Sequence, residues 1–414
     1  MSRYINRIHI NKLFHLNNLD ITIEDENNPH LIITGKNGSG KTILLTAIAN
    51  HLNKIKDNKG LGFLRYRSTV DYWESELGRA SAEKDIAHAK KMFESAKKQY
   101  DDVYGSVELT FSNYNWVEQY LNGDFVLAYY KADRYVKMIE QNYVQKPSIK
   151  KGDVIETSAA DQFIAFLVDL KFQELLAISK HNQNDENGIK NWFSVFENLL
   201  REIYQDSNLT LSFIEKPNKY TFEIKTNGKS FGFNEMSDGF KAAINIVADL
   251  ILKMSFNGML SDIYKKEGVV LIDEVETHLH LELQKIIMPF LTKTFPNIQF
   301  IVTTHSPFVL SSMPNAVAYD LEHQKSVNNL SQYSYESLAE GYFGVTAVSS
   351  DIQHRLNIIK ELLDKEGLSV SEKATLRNYL KDFDNIPEAV SPSLIGEYLQ
   401  VKLKHIATIK DLMQ

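Results

Sequence analysis

The sequence contains no cysteine, and only 9 of its 414 residues are proline. Without cysteine there is no disulfide, no thiolate metal site and no cysteine nucleophile, which fits a reducing compartment. Proline and the 19 glycines are also too few for a collagen-like or low-complexity chain. With 43% hydrophobic and 24% charged residues, the composition instead predicts a globular protein with a substantial core.

An excess of positive charge and a long apolar run are missing as well. The 46 Lys and Arg residues against 53 Asp and Glu give a net charge of −7, so nucleic-acid contact would need a local basic patch. The apolar helix from Ala242 to Met254 is broken by Asn245, Asp249 and Lys253, short of the roughly 18 residues of a membrane span. The N-terminal segment lacks the apolar core of a signal peptide. A cytoplasmic protein without a membrane partner is expected.

Short apolar runs alternate with helical patterns along most of the chain. Three runs between Tyr4 and Thr34 predict strands, and the third is apolar throughout, as in a strand buried on both faces. Later strands are predicted at Gly105 to Phe111, Asp124 to Tyr130, Leu209 to Ile214, Tyr220 to Ile224, Lys229 to Phe233, Val269 to Ile272 and Ile298 to Thr303. Helices are predicted at Thr42 to Ile55, Asp161 to Ser179, Ile189 to Tyr204, Gly239 to Met254 and Leu281 to Lys293. The last hundred residues are predicted to be mostly helical, with no further strand.

A charged, alanine-rich segment between Asp71 and Tyr104 carries a heptad-like stripe. Its apolar residues, at spacings of three and four, are Ile86, Ala89, Phe93, Ala96, Tyr100 and Val103. This predicts a helix of roughly 24 residues that either projects from the domain or packs on its own core.

The strongest motif is a glycine-rich loop, GKNGSGKT, between a buried strand and a helix. Such a P-loop turns its backbone N–H groups toward phosphates at the positive end of a helix dipole. We expect Lys41 to contact the β- and γ-phosphates of a nucleotide and Thr42 to ligate Mg²⁺. The other predicted binding residues of the loop are Gly35, Asn37, Gly38, Ser39 and Gly40.

Two later apolar strands end in candidate catalytic residues. Asp273 and Glu274 follow the first of them, and they are suited to hold Mg²⁺ and to polarise an attacking water. His305 follows the second and is a candidate γ-phosphate contact, although a lone histidine there is more often structural. A fourth motif, with Ser237 and Gly239, opens a helix and could bind the nucleotide of a neighbouring chain.

These four motifs occur in the order found in ATP-binding-cassette (ABC) ATPases, and the sequence resembles their soluble branch, the SMC and RecF-type heads. The run DEVETHLH from Asp273 to His280, with Gln284 and the TTHSP that starts at Thr303, resembles ATPases of the overcoming-lysogenization-defect class. The sequence is similar to the ATPase subunits of bacterial anti-phage systems such as Septu (PtuA) and PARIS (AriA). The resemblance covers roughly residues 1 to 345.

The resemblance implies an α/β fold, an ABC-type P-loop ATPase head with a mixed sheet, helical insertions and a helical C-terminal tail. It also implies a head-to-tail dimer around two ATP molecules, in which Ser237 and Gly239 of one subunit close on nucleotide held by Lys41 of the other. Glu274 would be the catalytic base, His305 the switch residue, and residues 276–280 would lie across the interface. The signature motif of ABC ATPases, Leu-Ser-Gly-Gly-Gln, reads Met-Ser-Asp-Gly-Phe at residues 236–240 of this sequence. The sequence also has no clear counterpart of the glutamine of their Q-loop. Because of these two departures, slow turnover is expected.

Weaker signals have competing interpretations. His278 and His280 have a spacing that occurs among metal ligands. We favour the interpretation that they belong to the loop at the dimer interface, because they complete the DEVETHLH motif. Ala128 to Tyr135 is interpreted mainly as a packed strand end, with a nucleotide-sensing segment as the alternative. Asp382-Phe383-Asp384 follows a helical pattern and is predicted to be a surface turn, so no intrinsic nuclease is expected.

Composition shifts and motif positions divide the predicted chain into six regions. These are an N-terminal ATPase lobe with the P-loop (1–70), a short coiled-coil-like insertion (71–104), head strands (105–156), a helical subdomain (157–206), a C-terminal ATPase lobe (207–350) and a helical C-terminal region (351–414).

The sequence therefore predicts a homo-oligomeric ABC-type ATPase in an anti-phage defence complex, whose nucleotide state controls a separate effector such as a nuclease or toxin. A RecF- or SMC-like DNA-repair ATPase that clamps DNA is one alternative, and it keeps nucleic acid open as a partner. A scaffold that binds ATP without hydrolysing it is the other.

Overall fold

The computed structural model describes residues 5–23, 30–57, 61–112, 114–147, 155–255, 260–327, 330–335, 337–339, 350–365, 367–386 and 392–413. The chain divides into two compact units, Met1–Ser334 and Tyr335–Gln414. All described strands lie in the first unit, and the described part of the second consists of helices.

The strands form one six-stranded and two three-stranded sheets. In chain order they are β1 (Ile5–Leu13), β2 (Leu16–Thr22), β3 (His30–Thr34), β4 (Val107–Phe111), β5 (Phe125–Tyr130), β6 (Thr210–Lys216), β7 (Lys219–Thr226), β8 (Lys229–Gly232), β9 (Glu267–Ile272), β10 (Ile298–Thr303), β11 (Ala316–Asp320) and β12 (Lys325–Val327).

The helices occupy both units. The first unit has α1 (Lys41–Asp57), α2 (Leu61–Arg79), α3 (Glu83–Tyr104), α4 (Trp116–Asn122), α5 (Phe163–Ser179), α6 (Gln183–Tyr204), α7 (Asp238–Ser255), α8 (Leu281–Thr294) and α9 (Pro307–Ser312). The second has α10 (Ser350–Asp364), α11 (Val370–Asp384), α12 (Pro392–Lys404) and α13 (Ile406–Met413). Within the described ranges, none of these helices has the length and hydropathy to span a bilayer.

The central sheet has the strand order β12-β11-β3-β10-β9-β5, in which β12 is antiparallel and the other five are parallel. The predicted mixed sheet with flanking helices is therefore confirmed. Because parallel strands end at the same sheet edge, the residues that follow β3, β9 and β10 converge there. Those residues are the P-loop, the Asp273–Glu274 pair and His305.

Helix α1 packs in a core that joins the central sheet to the antiparallel sheet β2-β1-β4. Leu44 and Ile48 of the helix lie in this core with Ile10 of β1 and Leu31 of β3, and all four are fully buried. Each such side chain contributes about 1.5–3 kcal/mol through burial. Helix α1, which follows the P-loop, is thus held between the central sheet and the sheet β2-β1-β4.

Helices α5 and α6 pack with the antiparallel sheet β6-β7-β8. Their core is aromatic, with Phe163 edge-on to Phe196 at 5.3 Å and Trp192 stacked on Phe196 at 5.5 Å. The predicted tight turn at Asn227-Gly228 is confirmed, since both residues have positive φ and join β7 to β8.

Helices α2 and α3 form a hairpin joined by residues 80–82. The predicted stripe on α3 is buried at Ala89, Ala96 and Tyr100, whereas Ile86 is exposed. Tyr104 at the end of α3 contacts Tyr66 of α2 and belongs to the main core. The stripe therefore packs on α2 and on the chain's own core.

Two predictions for the C-terminal part are wrong. Strands β11 and β12 lie within the last hundred residues, where no strand was predicted. The run Ala-Val-Ala-Tyr-Asp of β11 is short and alanine-rich, so its strand conformation comes from pairing with β3, in the register Ala316↔His30 to Asp320↔Thr34. Asp382 to Asp384 form the last turn of α11, because Phe383 is buried against the other helices of the unit.

His30 of β3 makes folding stability pH-dependent. It is buried, its Nδ1 accepts a hydrogen bond from Phe300 N (3.1 Å), and burial lowers its pKa from 6.5 to about 4. Between these values the unfolded chain binds a proton that the folded chain excludes, so the free energy of unfolding falls as pH drops from about 6.5 to about 4.

We expect His30→Asn, whose amide oxygen can replace Nδ1 as the acceptor, to remove about 2 kcal/mol of the loss in unfolding free energy between pH 7.5 and pH 5. Urea unfolding at pH 7.5 and pH 5 measures it, with the exposed His354→Asn as the control. Equal acid destabilisation of His30→Asn and wild type would contradict the assignment.

Candidate functional site

The P-loop, residues 35–42, joins β3 to α1 with three glycines at positive φ. At Gly35 (φ 136°) a Cβ atom would lie 2.9 Å from Ser39 Oγ, so both the conformation and the space require glycine. The sharp turn brings the N-terminus of α1 to the sheet edge. Its backbone N–H groups and the helix dipole favour an anion there.

Two side chains of the P-loop fit a phosphate. Lys41 Nζ donates to Gly35 O (2.9 Å) and Lys36 O (3.0 Å), so the ammonium lies over the loop. Burial lowers the Lys41 pKa, and nearby acids, Glu274 foremost, oppose this shift. Ser39 Oγ is buried with no hydrogen-bond partner in the described part of the chain. An anion in the loop would satisfy Ser39 and Lys41 together.

Asp273, directly after β9, is the candidate magnesium ligand. Its Oδ1 accepts hydrogen bonds from Thr42 Oγ1 (3.2 Å) and Thr303 Oγ1 (2.6 Å). A hydroxyl and a carboxylate oxygen at this separation fit Mg²⁺, which usually takes one or two protein carboxylates together with phosphates and waters. Among the described residues, no group of three or more His, Cys, Asp or Glu side chains is placed to hold a metal ion.

Glu274 has a left-handed backbone (φ 42°), an unusual conformation for a residue with a side chain, which costs about 1–3 kcal/mol. Neighbouring elements hold it there, since its N–H donates to Thr303 Oγ1 (2.7 Å) and its Oε2 accepts from Thr277 Oγ1 (3.3 Å). Thr303 thus orients Asp273 and Glu274 at once. The partly buried carboxylate is suited to accept a proton from water beside the P-loop.

The guanidinium of Arg134 binds the turn that follows β9. It donates to carbonyl oxygens of Asp273 (3.0 Å), Glu274 (3.3 and 3.4 Å), Val275 (2.9 Å) and Thr277 (3.5 Å). Burial lowers its pKa to about 10, so it stays charged at neutral pH. The sequence analysis missed this role; an arginine four residues after the apolar run Phe125–Tyr130 was the available signal.

Residues 276–280 are tied to the histidine motif within the same chain. Glu276 accepts hydrogen bonds from His305 N (2.5 Å) and Thr304 Oγ1 (2.7 Å). Gln284 donates to Leu279 O (2.8 Å) and accepts from Ser306 Oγ (2.7 Å). Burial raises the Glu276 pKa. The His305 pKa is lowered by burial and then by the Lys41 charge, which favours a neutral imidazole at pH 7.

The signature segment lies against the same turn. Ser237 is exposed just before α7, whereas Gly239 is buried in its first turn. A Cβ atom at Gly239 would lie 2.9 Å from His278 O and 3.2 Å from His280 Cε1, so a larger residue would push the two segments apart. Because His278 and His280 are exposed, this edge is available to another molecule.

An aromatic pair beside the P-loop was also missed. Phe14 and His15 form the turn between β1 and β2, and their rings meet edge-on at 5.2 Å. A Cβ atom at Gly40 would lie 3.6 Å from His15 Cε1, which places this turn next to the loop. Phe14 is 73% exposed with positive φ (57°). An exposed ring there is suited to stack on a nucleobase.

The sheet edge therefore joins the P-loop, Thr42, Asp273, Glu274 and His305 in one site, with the start of α7 beside the turn after β9. Together with the sheet order, this arrangement is the one that the resemblance to ABC-type P-loop ATPase heads implies.

Comparisons with known proteins give the relatives of this head. Residues 146–311 match the family described as "AAA domain, putative AbiEii toxin, Type IV TA system". The "Retron Vc95 probable ATPase" of Vibrio cholerae serotype O1 biovar El Tor is 26% identical over 256 residues, 61% of this chain and 46% of that protein. "Septu protein PtuA" of Bacillus mycoides (strain KBAB4) is 24% identical over 410 residues, 94% of this chain and 50% of that protein.

Among solved structures, the crystal structure of the SmcHead bound to the C-winged helix domain of ScpA matches 80% of this chain and 100% of that chain. The identity is 15% and the TM-score is 0.38.

The matched segment includes Ser237, Asp273 and His305 and begins after the P-loop. The chain is homologous to retron ATPases and to Septu protein PtuA, which confirms the resemblance that the motifs indicated. It spans about half the length of these relatives.

Proposed function

We propose that this protein is an ATP-hydrolysing, ABC-type ATPase subunit of a bacterial anti-phage defence complex. In this proposal its nucleotide state controls a separate effector, such as a nuclease or toxin. The observation that carries the ATPase part is the convergence of Lys41, Thr42, Asp273 and Glu274 at one sheet edge. The defence role is supported by homology to a retron ATPase and to Septu protein PtuA.

In the proposed reaction, Lys41 leaves the carbonyls of its own loop and binds the β- and γ-phosphates of ATP. Thr42 and Asp273 would hold Mg²⁺, which neutralises phosphate charge. Glu274 accepts the proton of the attacking water, and His305 donates a hydrogen bond toward the γ-phosphate. Thr303 and Glu276 keep these groups aligned through their hydrogen bonds.

The second part of the proposal is a head-to-tail dimer that forms on ATP. Ser237 is exposed, so its hydroxyl and the N-terminus of α7 are free to meet phosphate held by the Lys41 of another subunit. Gly239 keeps the start of α7 against His278 and His280, so these elements would reach the partner as one surface.

Native mass spectrometry of the protein purified from its own host, with and without ATP, tests the proposal. We expect a species of twice the 47.5 kDa chain mass only with ATP, together with a second polypeptide. Ser237→Arg places a bulky cation at the closing surface and should weaken ATP-induced dimerisation by about tenfold or more. Ser207→Arg, at another exposed serine, should dimerise normally.

The same spectra separate the alternatives. Dimerisation of Ser237→Arg equal to wild type would reject closure through the signature segment. A dimer that carries DNA and no second polypeptide would favour a DNA-repair clamp. Stoichiometric ATP that survives purification without turnover would favour a scaffold.

A further inference from the structure

The turn after β9 holds its shape in spite of two residues with unfavourable backbone conformations. Glu274 and His278 both have positive φ, 42° and 68°, although neither is glycine. The carbonyl groups of Asp273, Glu274, Val275 and Thr277 converge on one point. A turn of this kind needs a strong donor at that point, because partly buried carbonyl groups must be hydrogen-bonded.

Arg134 is that donor. One planar guanidinium offers several N–H groups at fixed angles and can bind convergent oxygens together, whereas a lysine ammonium is a compact charge on a flexible stem. Arg134 is only 8% exposed, so the groups packed around it limit its movement.

The segment that carries Arg134 is itself anchored beside the signature motif. Asn234 accepts a hydrogen bond from Met138 N (3.0 Å) and donates to Met138 O (2.8 Å). Asn245 of α7 donates to Val136 O (3.2 Å). The backbone that carries Arg134 is therefore hydrogen-bonded to one residue before α7 and to one residue within α7.

We propose that Arg134 is a positioning residue for ATP hydrolysis, which fixes the 273–278 turn and thereby aims the Glu274 carboxylate at the attacking water. The inference rests on the proposed function, in which Glu274 is the base. Arg134 bonds to backbone carbonyls of the turn, so it acts on the chemistry through the shape of the turn. Nucleotide affinity, which depends on the P-loop, is unaffected.

The test substitutes Arg134→Lys, which keeps the charge and loses the planar donor set. We expect kcat for phosphate release to fall by about 10- to 100-fold, because small misplacement of a catalytic group is costly. The Kd for ATP should stay within about threefold of wild type. Hydrogen–deuterium exchange of the nucleotide-free protein should rise over residues 273–279. Arg201→Lys, which removes a comparable arginine-to-carbonyl bond at Leu209 O, should change none of these values.

Asn234→Ala is the second variant, because it keeps the guanidinium and releases its segment. For Asn234→Ala we expect a smaller fall in kcat and a smaller rise in exchange than for Arg134→Lys. This variant still tests the inference if Arg134→Lys fails to fold. Unchanged exchange over 273–279 in both variants, or a fall in ATP affinity as large as the fall in kcat, would overturn the inference. Absence of hydrolysis by the wild type would reject the proposed function instead, and the exchange measurement would still decide whether Arg134 holds the turn.

Discussion

Replacing Lys41 with alanine is expected to abolish nucleotide binding. The Lys41 ammonium lies over the P-loop, bonded to Gly35 O and Lys36 O, at the place where phosphates would enter. Its loss removes charge-assisted hydrogen bonds worth about 1.5–3 kcal/mol each, so ATP affinity should fall by on the order of 100-fold or more. Titration with a fluorescent ATP analogue measures this change.

Lys54→Ala is the matched control for this prediction. Lys54 is an exposed lysine in the last turn of the same helix, α1, and its removal should leave ATP affinity unchanged. If Lys41→Ala binds ATP as tightly as Lys54→Ala does, the P-loop assignment is wrong.

Replacing Glu274 with glutamine is expected to separate binding from turnover. The amide keeps the size of the side chain but cannot accept a proton from water, so kcat should fall by on the order of 10²- to 10⁴-fold. Phosphate release under saturating ATP measures this fall. ATP affinity should persist, because the P-loop is untouched, and native mass spectrometry should show the ATP-bound dimer accumulating.

Glu282→Gln controls for the loss of a negative charge nearby. Glu282 lies exposed in the first turn of α8 and pairs only weakly with Lys285 at 3.3 Å. Turnover of Glu274→Gln at the wild-type rate would remove Glu274 as the base. A parallel loss in both variants would point to the charge of the region as the cause.

The parts of the site that the sequence predicted are short motifs, whose residues are adjacent in the sequence. The P-loop, Asp273 with Glu274, and His305 each follow an apolar strand, and adjacent parallel strands bring their ends together. The local spacing of glycine, acid and histidine was therefore sufficient to locate them.

The parts that the sequence did not predict depend on contacts between distant segments. Arg134 acquires its role only because β5 pairs with β9, which brings it to carbonyls about 140 residues later in the chain. Gly239 is required as glycine by the approach of His278, which no local pattern encodes. Strand β11 has weak intrinsic β-propensity and gains its conformation from β3.

The pairing of β3 also has a consequence for synthesis of the protein. β3 ends at residue 34, yet its two neighbours in the sheet, β10 and β11, begin at residues 298 and 316. The P-loop leaves the ribosome long before either neighbouring strand exists, and pairing between such distant segments is slow. A nascent or truncated chain that ends before Ile298 thus carries the nucleotide-binding motif without a nucleotide site. If the proposed function holds, we expect the ability to bind ATP only once nearly the whole first unit has been made.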